Sequence, residues 1–315
     1  MLAGSAALAF GGWLVREADV GPVDAAFWRL SLAVLPLMLI ARLVRQPMPS
    51  MSRSLLLPAA LAGLFFAIDL ALWHLGLVRT TLANATLIPN AAAFLLPLYG
   101  FAVTRTRPTA RMWSAMALAA AGTLLLLGTS FELSARHFAG DLLCIGAAIF
   151  YTAYLVVIDR MRGRVAAVPT LILASSFGAL ALFVMAQAGP GPFWPTDWRP
   201  VVALAFTSQV LGQGLIVYAV GHLKPLVVGL TLLVQPAIAA AIGVVRFGEV
   251  LGPTVIIGGV LVLSALVLVR LPAASTDARR SAMQTLAPAR ASAIASPYAA
   301  SLLTANTAWR PGRTA

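Results

Sequence analysis

The chain has 315 residues, of which 60% are hydrophobic and only 10% charged, and its mean hydropathy is +0.91. Soluble globular domains carry charge on about a quarter of their residues, so this composition excludes one and calls for a bilayer. The formal charge of +12 does not indicate nucleic acid, because the 22 cations, all arginine except Lys224, fall in short groups at the ends of apolar runs.

Taken in chain order, the apolar runs occupy residues 1–15, 23–41, 55–75, 81–103, 112–128, 142–158, 165–188, 201–220, 226–245 and 254–269. A helix rises about 1.5 Å per residue and a hydrocarbon core is about 30 Å thick, so most of these runs are long enough to span. Bilayer-spanning strands need polar alternation, which is absent, and the expected fold class is an all-α integral membrane protein with ten transmembrane helices. The first run opens at Met1 with no basic flank and is read as a span with a shortened N-terminus, since nine further runs follow and a signal peptide precedes a soluble chain. Residues 271–315, rich in Ala, Ser and Arg without periodicity, are expected to be a disordered cytoplasmic tail.

Trp13, Trp28, Trp73, Trp113, Trp194 and Trp198 fall at or near span ends, the level that indole prefers. Alternate loops differ in positive charge. One set carries ten cations (Arg42, Arg45, Arg53, Arg105, Arg107, Arg111, Arg160, Arg162, Arg164 and Lys224) and the other five (Arg16, Arg79, Arg136, Arg199 and Arg246). Cytoplasmic loops retain positive charge, so both termini are expected on the cytoplasmic side. The single cysteine, Cys144, excludes an internal disulfide framework and any cysteine-based metal cluster.

The two halves share a plan. Pro236, Glu249, Gly258 and Ala265, shifted back by 143, fall on Ala93, Thr106, Ala115 and Gly122, and SAALAFGGWLV (5–15) lies over GAAIFYTAYLV (146–156) at an offset of 141. The domain boundaries that follow are 1–128 for a first repeat and 140–270 for a second, each of five spans. An odd number of spans makes the second repeat enter from the opposite side, which gives the inverted pair typical of secondary transporters.

FGEVLGPTVIIGG after Gln235-Pro236, the paired repeat, and the placement of Trp13 and Arg29 resemble the drug/metabolite transporter superfamily, in particular its EamA-like ten-helix members. The resemblance covers about residues 1–270 and includes FFAIDLALWHLGLVRTTLANATLIPN (65–90) and SQVLGQGLIVYA (208–219). It implies export of small metabolites, amino acids or drugs through a central cavity lined chiefly by the first, third, fourth, sixth, eighth and ninth spans. Ala93 and Thr106 depart from the Pro and Glu of the family pattern in the first repeat.

Polar residues inside apolar spans are the candidates for a site. A carboxylate near a helix centre costs about 2.5–3.5 kcal/mol on insertion scales, so Asp69 needs a partner or a water-filled cavity. Arg29 enters from the same side to a comparable depth, which leaves open a structural ion pair with Asp69 or a substrate-binding or proton-coupling role for that carboxylate. Trp73, one turn from Asp69, shares its face and is a stacking candidate, whereas His74 points elsewhere and is a weaker one. In the fourth span Asn84, Thr86 and Asn90, with Thr81, form neighbouring polar stripes. Gln209, Gln213, Tyr218 and Gln235 offer donors and acceptors from the second half. Glu249 follows Arg246 by three positions, which makes a surface pair the default, with a gate role implied by the family match.

No HExxH, Walker loop or GxSxG elbow is present, and the three histidines are far apart, so the reading is not an enzyme, with no cofactor and no metal. What remains is a secondary active transporter, read as an exporter in the bacterial inner membrane with proton coupling through Asp69. The alternative is a passive facilitator or channel for small polar solutes. Its expected partners are a small-molecule substrate, protons and the lipid bilayer; oligomeric state is not legible.

Overall fold

The computed structural model describes residues 2–91, 95, 99, 105, 107–162, 164–189, 191–215 and 234–270. Ala93, Thr106, Tyr218 and the tail from 271 lie outside the described residues, as does the side chain of Asn90. The described chain is helical, with no strand among the described residues.

The elements in order are α1 (Leu2–Ala9), α2 (Gly11–Glu17), α3 (Pro22–Leu43), α4 (Arg53–Leu77) and α5 (Leu82–Leu87), which runs into a 3-10 turn at Ile88–Ala91. They continue with α6 (Ala110–Leu133), α7 (Ala135–Arg162), α8 (Ala167–Ala186) and α9 (Trp198–Leu204), which passes into a π-helix at Ala205–Gln213, and end with α10 (Val234–Phe247) and α11 (Pro253–Arg270). Among the described residues, five segments are long and apolar enough to cross a membrane: Pro22–Leu43, Arg53–Leu77, Ala110–Ser130, Ala135–Ile158 and Ala167–Ala186. Val234–Phe247 and Pro253–Ala265 are shorter apolar helices.

The helix starts have local causes. Pro22 opens α3, where its missing N–H costs nothing. Thr81 caps α5 by accepting from the Asn84 N–H at 3.2 Å, Thr109 caps α6 through Met112 N–H at 3.3 Å, and Asp197 caps α9 through Arg199 N–H at 2.9 Å. Two expected boundaries change. The first expected span is two short helices meeting at Phe10, and α7 begins at Ala135 rather than at 142, which carries Asp141 into its second turn.

Exposure is inverted relative to a soluble protein. Leu35 is 76% exposed and Leu124 67%, while Asp69, Arg29, Asn84 and Gln209 are buried. Apolar side chains outside and polar ones inside are what a lipid solvent selects.

Helix α4 is the hub, packed against α3, α7 and α8; α3 in turn packs on α8 and on the π-helix. Helix α1 packs on the π-helix and α10, α5 on α10, and α6 on α11. Between α3, α4 and α8 the core is built from Leu30, Phe66, Leu70 and Leu182, with the Phe66 ring stacked on Tyr154 of α7 at a centroid distance of 4.7 Å. Small residues set the closest crossings. A methyl group at Gly63 would lie 2.7 Å from the Gly178 nitrogen, and one at Gly122 would lie 2.6 Å from the Gly258 oxygen, so α4 meets α8 and α6 meets α11 nearly backbone to backbone.

Outside the membrane segments, the Asp19 carboxylate accepts from the backbone N–H groups of Thr196 and Asp197, each at 2.9 Å, and ties two loops together. These donors, Asp197 first, hold its carboxyl below the usual carboxylate range.

Gly63→Ala is expected to lower thermal stability by about 1–3 kcal/mol through overpacking at the α4–α8 crossing. Gly128→Ala, where an added methyl meets nothing within 4 Å, is expected to leave the melting temperature equal or raised. Thermal unfolding of the two purified variants in detergent checks the contrast; equal behaviour would refute the crossing as a close contact.

Candidate functional site

A cavity of about 210 Å³ lies between the helices of the two halves. Helices α1 to α5 contribute Gly12, Arg29, Asp69, Trp73 and Thr86 to its wall, and the later elements contribute Tyr151 from α7, Gln213 from the π-helix and Gln235 from α10. Of the sequence candidates, Arg29, Asp69, Trp73, Thr86, Gln213 and Gln235 therefore meet in one place.

The charges come from adjacent helices. Asp69 is 8% exposed and Arg29 4%, and Arg29 is the cation that acts electrostatically on Asp69. They form no ion pair among the described residues. The guanidinium is held from its far side instead: Arg29 Nε donates to Gln209 Oε1 at a long 3.4 Å, and Gln209 Nε2 donates to Ser175 Oγ at 3.1 Å. It also lies over the Trp73 ring at 5.9 Å. Trp73 is fixed by its indole N–H, which donates to the Ala85 carbonyl at 2.8 Å, so it is cavity wall rather than interfacial belt. Two opposite charges that face one small space without touching each other can take up a solute carrying both signs.

Three sequence candidates stand outside the cavity wall. Gln209 is fully buried and serves Arg29 from behind. The His74 side chain is fully buried with Nδ1 against the Pro22 carbonyl at 2.9 Å, where it ties the end of α4 to the start of α3. Asn84 turns away from the cavity toward Asp141 of α7 and Ser130 of α6, its Nδ2 lying 3.0 Å from each partner oxygen.

Glu249 takes a different partner from the expected one. Its carboxylate pairs with Arg16 Nη1 at 2.7 Å and accepts from the Leu82 backbone N–H at 2.7 and 2.9 Å, while Arg246 pairs with Glu17 at 2.9 Å. A separation of three on α10 and the following turn had favoured the Arg246 pair, but Gly248, at a φ of +63°, turns the chain back so that Glu249 reaches α2 and α5. Arg16 also donates to the Leu77 carbonyl at 3.2 Å and to Thr80 at 2.7 Å. One ion pair thus satisfies the loose carbonyls ending α4 and the first N–H of α5.

The sequence reading missed Tyr151, Arg16 and Asp141. Tyr151 is within hydrogen-bonding reach of Gln213 and joins the cavity from α7. It lay in the repeated segment GAAIFYTAYLV, where an aromatic residue reads as ordinary core. Arg16 had been counted only as a loop charge, and its partner is 233 positions away, so no local spacing could have revealed it.

Residues 138–271 match the EamA-like transporter family. The matched stretch begins in α7 and runs through α11, and it supplies Tyr151, Gln213 and Gln235 to the cavity. No curated protein matches the chain. Among solved structures, one described as a crystal structure of a protein is similar in fold, with a TM-score of 0.56 at 18% identity, covering 85% of this chain and 93% of its own. That likeness is one of fold.

If Arg29 and Asp69 compensate each other across the cavity, a double-mutant cycle in thermal stability will show it. Arg29→Gln and Asp69→Asn together are expected to cost about 1–3 kcal/mol less than the sum of the single changes. Strict additivity would mean that the two charges are independent.

Proposed function

We propose that the chain is a ten-helix secondary transporter, made of two inverted five-helix repeats, that carries a small zwitterionic metabolite of amino-acid type across the bacterial inner membrane. The observation that carries this is a cavity walled by both halves, with Asp69 and Arg29 presented separately to its interior. The family match makes the EamA-like half part of a membrane transporter, and the finer claims rest on the following points.

The packing supports the repeat. Exchanging elements by the 143-residue offset turns α4 on α7 into the π-helix on α1, and α4 on α8 into the π-helix on α3. The pairs α3 with α8 and α6 with α11 map onto themselves. Gly122 against Gly258 would have its partner contact at Ala265 and Ala115, and both of those alanines are fully buried in one cluster. Two inverted units meeting along such a seam can rock about it and expose the cavity to either side in turn.

The size of the cavity favours a small solute over a drug, since drug pockets usually run to about 300–1,000 Å³. In this reading Asp69 takes the ammonium or a proton, Arg29 takes the carboxylate, and Trp73 and Tyr151 flank the remainder. The Arg16–Glu249 pair closes the non-cytoplasmic end, where positive-inside counting puts both residues.

Two outcomes test this. In proteoliposomes loaded with the metabolite that overexpressing cells release in excess, external substrate should be taken up faster than into empty vesicles, and Asp69→Asn, at normal expression, should abolish that uptake. A channel would give no stimulation by the loaded substrate, and intact transport in Asp69→Asn would leave the carboxylate a structural role. Arg16→Ala should raise, several-fold, the labelling of a Thr86→Cys thiol by a membrane-impermeant maleimide added outside; unchanged labelling would remove the pair as a closure.

A further inference from the structure

A second polar cluster sits beside the α4–α5 turn and takes no part in the cavity. Asp141, on the second turn of α7, is fully buried. Thr80 Oγ1 donates to its Oδ1, Asn84 Nδ2 donates to its Oδ2 at 3.0 Å, and Ser130 also hydrogen-bonds to the carboxylate. Asn84 Nδ2 is shared with Ser130 Oγ at 3.0 Å. Three side chains, from the turn, α5 and α6, thus converge on the one carboxylate of α7.

Two features of this cluster are unbalanced. The first is charge: no ion pair among the described residues includes Asp141, and the ionisable group acting on it is His137, one turn away, whose Nδ1 lies 2.7 Å from Ser134 Oγ. A carboxylate inside a membrane helix usually marks an ion or proton path unless a cation offsets it. The second is a lone pair: Asn84 is 2% exposed and its carbonyl Oδ1 has no hydrogen-bond partner. Buried amide oxygens are nearly always satisfied. A bound cation would offset the first, and the second leaves the Asn84 amide with an acceptor free to serve as a ligand.

We propose that Thr80, Asn84, Ser130 and Asp141 form a binding site for one sodium ion. The donor set is entirely oxygen, with one carboxylate, two hydroxyls and one amide carbonyl. Hard oxygen ligands with a single negative charge suit a monovalent alkali ion, whereas calcium takes six to eight oxygens and commonly several carboxylates. Binding needs only local rotation. A half-turn of the Asn84 amide exchanges Nδ2 for Oδ1 on the side facing Ser130 and Asp141, and the two hydroxyls turn their protons outward and their lone pairs in.

The site is placed to be felt in the cavity. Asn84 sits on the six-residue α5, and the next two residues, Ala85 and Thr86, line the cavity wall. The Ala85 carbonyl is what fixes the Trp73 indole. An ion that holds Asn84 therefore holds α5, and through it one wall of the substrate space. Binding of the ion is independent of the transport reading; coupling to transport rests on it.

Thermal unfolding of the purified full chain in detergent tests the site without any substrate. Sodium chloride should raise the melting temperature in a saturable way over choline chloride at equal ionic strength, with potassium chloride weaker. Asp141→Asn should remove the sodium-specific rise. Should that variant fail to purify as a monodisperse protein, Ser130→Ala and Thr80→Val should each raise the half-saturating sodium concentration several-fold. Equal melting in sodium, potassium and choline salts would overturn the proposal, and so would a sodium effect that survives unchanged in these variants.

Discussion

Lipid offers no hydrogen bonds, and the helix break between α4 and α5 is met by side chains brought in from elsewhere. The break between α4 and α5 leaves the carbonyls of Leu77 and Thr80 and the N–H of Leu82 without helical partners. Arg16 and Glu249 supply all three from α2 and from the turn after α10. The first-half junction is therefore completed only when the chain has run 167 residues beyond Leu82, which makes distant parts of the folded unit interdependent. Everything that lines the cavity from α5 depends on this junction, because α5 is too short to hold a position by its own helical bonds.

The same solvent explains the economy of the interior. Few groups are polar, and three sets of them stand out among the described residues: one around the cavity, one around Asp141, one at the Arg16–Glu249 junction. Between them the helices meet through glycine and alanine, since close backbone packing replaces the hydrophobic drive that lipid does not supply. The cavity is left where those small-residue contacts give way to Phe66, Trp73 and Tyr151.

Much of this was legible in the sequence because it depends on composition along one helix. The runs at 23–41, 55–75 and 165–188 match α3, α4 and α8 within a few residues, and Asp69, Trp73 and Thr86 were singled out by their isolation in apolar surroundings. What stayed hidden depends on which helices touch. Nothing in the sequence separates Gln213, on the cavity wall, from Gln209, behind Arg29, since both are glutamines one turn apart in the same run. Asn84 and Thr86 belong to two neighbouring stripes read as one cavity wall, yet they face opposite ways on α5, one toward Asp141 and one toward the cavity. Asp141 itself lies one residue before the run at 142–158, because α7 starts earlier than its apolar stretch, with Arg136 and His137 in its first turn.

The π-helix at Ala205–Gln213 gives its span one property the others lack. Each of its rings closes one residue later than in an α-helix, so the segment is wider and carries a surplus residue relative to a regular helix of the same rise. Removing a single residue there would leave the main chain free to close ordinary α-helical rings, at no loss of hydrogen bonding. Downstream side chains would then turn by about a quarter of a revolution, and Gln213 would leave the cavity while Gln209 upstream kept its place. The backbone of that span is indifferent to a change of register that its side chains could not survive.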